Sequence, residues 1–103
     1  MLQFDDVSRV LTVAPQGELD HCMAERIRNT IDATVLKTDA KVVVFDLSEV
    51  GFMDSSGIAV VLSAWRHMQR LGGTACISGA PKQAARVLCM AGVPALVPGI
   101  EME

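Results

Sequence analysis

Two hydrophobic periodicities alternate along the chain, and their order predicts its architecture. The block Lys41-Val42-Val43-Val44-Phe45-Asp46-Leu47 is continuous and β-branched, which reads as a strand buried on both faces. After it, Ile58, Val61, Leu62, Trp65, Met68 and Leu71 recur at three- and four-residue steps, with Ser63, Arg66, His67, Gln69 and Arg70 between them. That spacing predicts an amphipathic helix from about residue 56, stopped by Gly72-Gly73. Ala24, Ile27, Ile31 and Val35 predict an earlier helix, capped by Asp20 and running to about Lys37, with Glu25, Arg26, Arg28, Asn29 and Asp32 on its polar face. A third helix opens at Pro81, carries Ala84, Val87, Leu88 and Ala91 as its stripe, and closes at Gly92. Residues 2–5 and Arg9–Ala14 read as strands, and the short break Asp6-Val7-Ser8 joins them as a hairpin. Pro15-Gln16-Gly17 ends the second strand, and Thr74–Ser78 and Val93–Val97 complete the set. The order β-β-α-β-α-β-α-β predicts an α/β fold with a mixed, mostly parallel β-sheet and helical crossovers.

Composition narrows the classes. The 103 residues make one domain, spanning 1–103 without linker, repeat or low-complexity segment. Half the residues are hydrophobic and 20% are charged, which excludes a disordered tail. A net charge of -3 without a Lys/Arg run argues against nucleic acid and anionic membrane as partners. One tryptophan, three phenylalanines and no tyrosine leave little for base stacking. The apolar runs are too short for a membrane span, and Met1–Asp6 lacks the features of an export signal. Cys22, Cys76 and Cys89 are an odd, widely spaced set, read as reduced thiols of a cytoplasmic protein.

The candidate chemistry gathers at two helix starts. Asp54-Ser55-Ser56-Gly57 follows a strand and opens a helix, where orphan N–H groups and the positive end of the dipole favour a phosphate. A serine there also serves as a plain N-cap, but a cap needs only one of three consecutive polar residues. Gly17-Glu18-Leu19-Asp20-His21 is a second polar cluster, for which a turn and a cap are a sufficient explanation. Both clusters follow strands, so the fold gathers them at one rim, where α/β proteins place their sites. Nucleophilic catalysis by Ser55 lacks support: His67 lies about three turns along the helix, and although His21 at the start of the first helix could come close, the chain has no G-x-S-x-G nucleophile elbow. No ligand spacing for a metal and no G-x-x-x-x-G-K phosphate cradle is present.

Those two clusters carry a resemblance. Gly17–His21 and Asp46-Leu47-Ser48-Glu49-Val50-Gly51-Phe52-Met53-Asp54-Ser55-Ser56-Gly57-Ile58 resemble the signature segments of STAS-domain anti-sigma factor antagonists, most nearly those of the sporulation type that act on the anti-sigma F factor. The likeness extends over nearly the whole chain, and the Phe52–Gly57 segment is its specific part. It implies a single STAS domain that is not an enzyme and takes no cofactor. The unphosphorylated form binds a kinase-type anti-sigma factor and releases the sigma factor. The kinase then phosphorylates Ser55 with its own ATP and lets go, and a serine phosphatase resets the cycle. Asp20, His21, Asp54, Ser56 and Gly57 are the partner-binding residues so implied. The family ends in a further amphipathic helix, whereas this chain stops at Gly99-Ile100-Glu101-Met102-Glu103, so the final helix is expected to be missing or vestigial. Alternative readings are a STAS regulatory subunit of a transporter, a stress-pathway antagonist and a small hydrolase.

Overall fold

Asp5 starts the chain reversal. Its carboxylate accepts hydrogen bonds from the Val7 N–H at 2.9 Å and the Ser8 N–H at 3.3 Å. Arg9 completes the turn in the left-handed region (φ +62°). In the computed structural model, which describes residues 2–98, this turn joins β1 (Leu2–Asp5) to β2 (Val10–Val13) as an antiparallel hairpin. The chain continues through β3 (Gly17–Leu19), α1 (His21–Thr38), β4 (Val42–Asp46), β5 (Val50–Met53), α2 (Ser55–Arg70), β6 (Thr74–Ser78), α3 (Lys82–Met90) and a 3-10 turn at Val93–Ala95. Strands β1-β2-β4-β6 form one sheet in that order, with β2, β4 and β6 parallel. The fold is therefore α/β and mixed, mostly parallel.

Alternation along the sheet sets the core. Leu11, Val13, Val43, Phe45, Ala75 and Ile77 are all buried and meet Ile27, Ile31, Val61 and Met68 from the helices in one cluster. Val42, Val44 and Asp46 point the other way and are only half-buried, so β4 is fully covered on one face, not on both as its sequence suggested. At the end of α2 the Gly72 N–H bonds the Gln69 carbonyl and the Gly73 N–H bonds the Met68 carbonyl, a Schellman closure with Gly72 at φ +80°. Gly73 is packed so closely on the Lys41 carbonyl that no side chain fits there, which seats β6 beside β4.

Three differences from the expected element order stand out. Gly17 does not simply end β2; it opens β3, which pairs in parallel with β5 as a separate two-stranded ribbon. Neither strand was predicted. Val93–Val97 is not a strand: Val93 and Val97 are both buried, four residues apart, and the Val97 N–H returns to the Val93 carbonyl at 2.9 Å. Pro94 lacks the N–H a ladder needs, and the segment coils instead. The expectation of a missing final helix falls on residues 99–103, outside those described.

Candidate functional site

The β3–β5 ribbon assembles the site. Its register places Leu19 opposite Met53, so Asp20 and Asp54, the next residue on each strand, leave side by side and each starts a helix. The Asp20 carboxylate accepts from the Met23 N–H at 3.0 Å, and the Asp54 carboxylate accepts from the Ser56 N–H at 2.8 Å. The two helix N-termini thus bring the positive ends of two dipoles to one place, each met by a carboxylate.

With Asp54 as the cap, neither serine is needed for that task. Ser55 is the first residue of α2 and is exposed, and its hydroxyl makes no hydrogen bond among the described residues. Ser56 is half-buried and lines a groove between α1 and α2 with His21, Ala24, Glu25, Arg28, Ala59 and Val60. His21 is exposed at the first position of α1. Asp20, His21, Asp54, Ser55 and Ser56 therefore share one rim. Gly57, grouped with them from sequence, is buried. A Cβ there would meet Met53 Cγ at 2.6 Å and Leu19 Cδ2 at 3.1 Å, so Gly57 sets how closely α2 sits on the ribbon and presents no side chain outward. Phe52 is 48% exposed on β5, next to this rim.

The second histidine is far from the serines. His67 lies twelve residues along α2 from Ser55, about 18 Å at the helical rise. Its Nε2 is buried and has no hydrogen-bond partner among the described residues. Away from the rim, Asp46 accepts from the Ser48 hydroxyl at 2.7 Å and the Ser48 N–H at 3.1 Å, which hold its carboxyl below the usual range. Burial pushes the Cys76 thiol up. Among the described residues no group of three or more His, Cys, Asp or Glu is placed to hold a metal ion, and no helix is long and apolar enough to cross a membrane.

Gln83 escaped the sequence reading. Its carboxamide oxygen accepts from the Met53 N–H and its nitrogen donates to the Met53 carbonyl, both at 2.9 Å. A glutamine in the first turn of α3 carries no local signal of this. Only the unpaired outer edge of β5 would have called for a partner, and β5 itself was not predicted. Glu25 and Arg28 are exposed on the polar face of α1, as their spacing predicts, and they also line the groove between α1 and α2 with Ser56.

The STAS domain family model matches residues 2–102. An anti-sigma F factor antagonist of Paenibacillus polymyxa is 30% identical over 89 residues, covering 86% of this chain and 76% of that protein. Another, of Lysinibacillus sphaericus, is 37% identical over 57 residues, 55% of this chain, and the match spans about half (49%) of that relative's length. The anti-sigma factor antagonist SpoIIAA in its unphosphorylated form has the same fold, with a TM-score of 0.82 at 24% identity over 98% of this chain and 89% of that one.

Proposed function

The chain belongs to the STAS domain family, and from that premise we propose that it is an anti-sigma factor antagonist switched by phosphorylation of Ser55. The unphosphorylated rim binds a kinase-type anti-sigma factor and frees the sigma factor for RNA polymerase. The kinase passes the γ-phosphoryl group of its own ATP to the Ser55 hydroxyl, whose proton is lost, and the phosphorylated product is released. A serine phosphatase hydrolyses the ester and restores the binding form. The two relatives named as anti-sigma F factor antagonists favour a sporulation-type partner of that kind.

One observation carries the reading: the helix is already capped by Asp54, so the exposed Ser55 hydroxyl is uncommitted at the positive end of α2. A phosphate there adds about -1.5 to -2 charges at neutral pH. The helix end tolerates that charge, while Asp54 and Asp20 beside it make the whole rim strongly anionic. A partner surface that accepts the neutral serine then meets a local repulsion, and no refolding is needed for release.

Incubating the purified chain with its cognate kinase-type anti-sigma factor and ATP, followed by peptide mass spectrometry, tests this. Phosphate is expected on Ser55 and none on Ser55→Ala. Phosphate on Ser56, or undiminished labelling of Ser55→Ala, overturns the assignment.

A further inference from the structure

We infer that Gln83 is a positioning residue for the phosphoacceptor, holding the end of β5 from outside so that Ser55 is presented in one orientation. The inference rests on the reading of Ser55 as the phosphorylated residue.

The argument starts from the two edges of β5. On the inner edge the ribbon pairs with β3, and the Asp54 N–H reaches the Leu19 carbonyl at 3.5 Å. In a strand, the N–H and C=O of one residue point to the same side, and the next residue points to the other. Met53 therefore turns both its backbone groups away from β3, toward α3. With no further strand there, they would be left as a part-buried orphan donor and acceptor. The Gln83 carboxamide presents one acceptor and one donor in the spacing of a neighbouring strand and satisfies both groups at 2.9 Å.

What makes this more than an edge repair is the short distance along the chain. Met53 is followed directly by Asp54, whose carboxylate fixes the Ser56 N–H, and Ser55 lies between these two anchors. Among the described residues the Ser55 side chain has no hydrogen bond of its own to order it. Its orientation comes from a strand end gripped on the β3 side by main chain and on the α3 side by Gln83. In-line phosphoryl transfer depends on such placement, because the protein contributes mostly position and electrostatics to that reaction. The same clamp adds a direct polar link from α3 to the site, beside the packing of Ala84 and Leu88 in the shared core.

The test compares wild type with Gln83→Leu, which removes both hydrogen bonds, and Gln83→Glu, which keeps an acceptor but sets a carboxylate against the Met53 carbonyl. Amide exchange by NMR needs no kinase. In Gln83→Leu the Met53 amide should exchange at least about tenfold faster, while the Val43 and Phe45 amides of β4 keep their protection. With the cognate kinase and ATP, kcat for Ser55 phosphorylation should fall about ten- to a hundredfold with KM within about twofold, since the docking groove is untouched. Gln83→Glu should fall between the two, and it carries the comparison if Gln83→Leu does not fold. Unchanged Met53 exchange, or accelerated exchange with unchanged kcat, overturns the inference. A loss spread equally over Met53 and the β4 amides means general destabilisation and overturns it too. A wild-type chain that takes no phosphate defeats the Ser55 reading instead, and the exchange comparison then decides alone whether Gln83 holds the strand.

Discussion

Replacing Gly57 by alanine sets a helix preference against a packing limit, and the distances decide which prevails. Alanine is favoured over glycine within a helix by up to about 1 kcal/mol, so in open space the change would stabilise α2. The space is not open. The added methyl carbon would lie 2.6 Å from Met53 Cγ and 3.1 Å from both Met53 Sδ and Leu19 Cδ2. Met53 is 0% and Leu19 1% exposed, so neither side chain can swing into solvent to make room. The nearest atom is Cγ, close to the main chain, and moving it requires a new rotamer or a shift of β5. Overpacking of this kind costs about 1–3 kcal/mol, which exceeds the propensity gain. The net expectation is a loss of about 1 kcal/mol, or a Tm lower by about 4–8 °C for a domain of this size. Thermal and denaturant unfolding of both proteins measure it, and the amide shifts of Asp20 and Asp54 should move because their strands are the ones displaced. A Gly57→Ala protein that melts at or above the wild-type temperature refutes the packing argument.

Further outcomes follow from the same geometry. In Ser55→Asp the helix dipole favours the new carboxylate and Asp54 opposes it by a similar amount, so stability should change by less than about 1 kcal/mol. Kinase affinity, by titration calorimetry, should nonetheless fall by several kcal/mol, about what a misplaced like charge costs at an interface; an unfolded protein, or one that still displaces the sigma factor as wild type does, would refute a local electrostatic switch. Asp20→Asn keeps the bond from the Met23 N–H, since asparagine caps about as well, but it should weaken kinase binding; unchanged affinity would leave Asp20 a cap only. Asp46 owes its lowered pKa first to the Ser48 hydroxyl, so its share of stability is present above the unfolded pKa and disappears as pH falls through the folded one. Ser48→Ala should raise the Asp46 pKa toward its ordinary value in an NMR titration, bringing acid destabilisation on at a higher pH; an unmoved Asp46 titration would rule the hydroxyl out as the cause.

The helices were legible because their signals are local. Asp20 lies directly ahead of the Ala24-Ile27-Ile31-Val35 stripe and Gly72-Gly73 directly behind that of α2, and each acts within one helical turn. The two caps of the rim, Asp20 and Asp54, were legible for the same reason, since caps sit where strands hand over to helices, but the pairing that sets them side by side is not local. The ribbon was not. Gly17-Glu18-Leu19 and Val50-Gly51-Phe52-Met53 contain glycines and outward-facing residues that no strand pattern favours, and each is a strand only because the other lies beside it. Val93–Val97 misled because its two valines fit a strand by composition, while their four-residue spacing and Pro94 suit a turn. Gln83 depends on an edge thirty residues away and left no mark on its own neighbourhood.

The ribbon also ties the site to the order in which the chain can fold. Each hairpin or helix start can form from neighbouring residues, but the Leu19–Met53 pairing needs the whole of α1 and β4 to be traversed first. Closing a loop of that length is entropically costly, and such contacts reward the chain only once the intervening parts have docked. Until β3 meets β5, Asp20 and Asp54 are two unrelated carboxylates and the groove between the helices does not exist. A nascent, nicked or partly unfolded chain therefore displays the serine as sequence but not as a surface, and on the proposed function a partner that reads the rim would in effect inspect whether folding has finished.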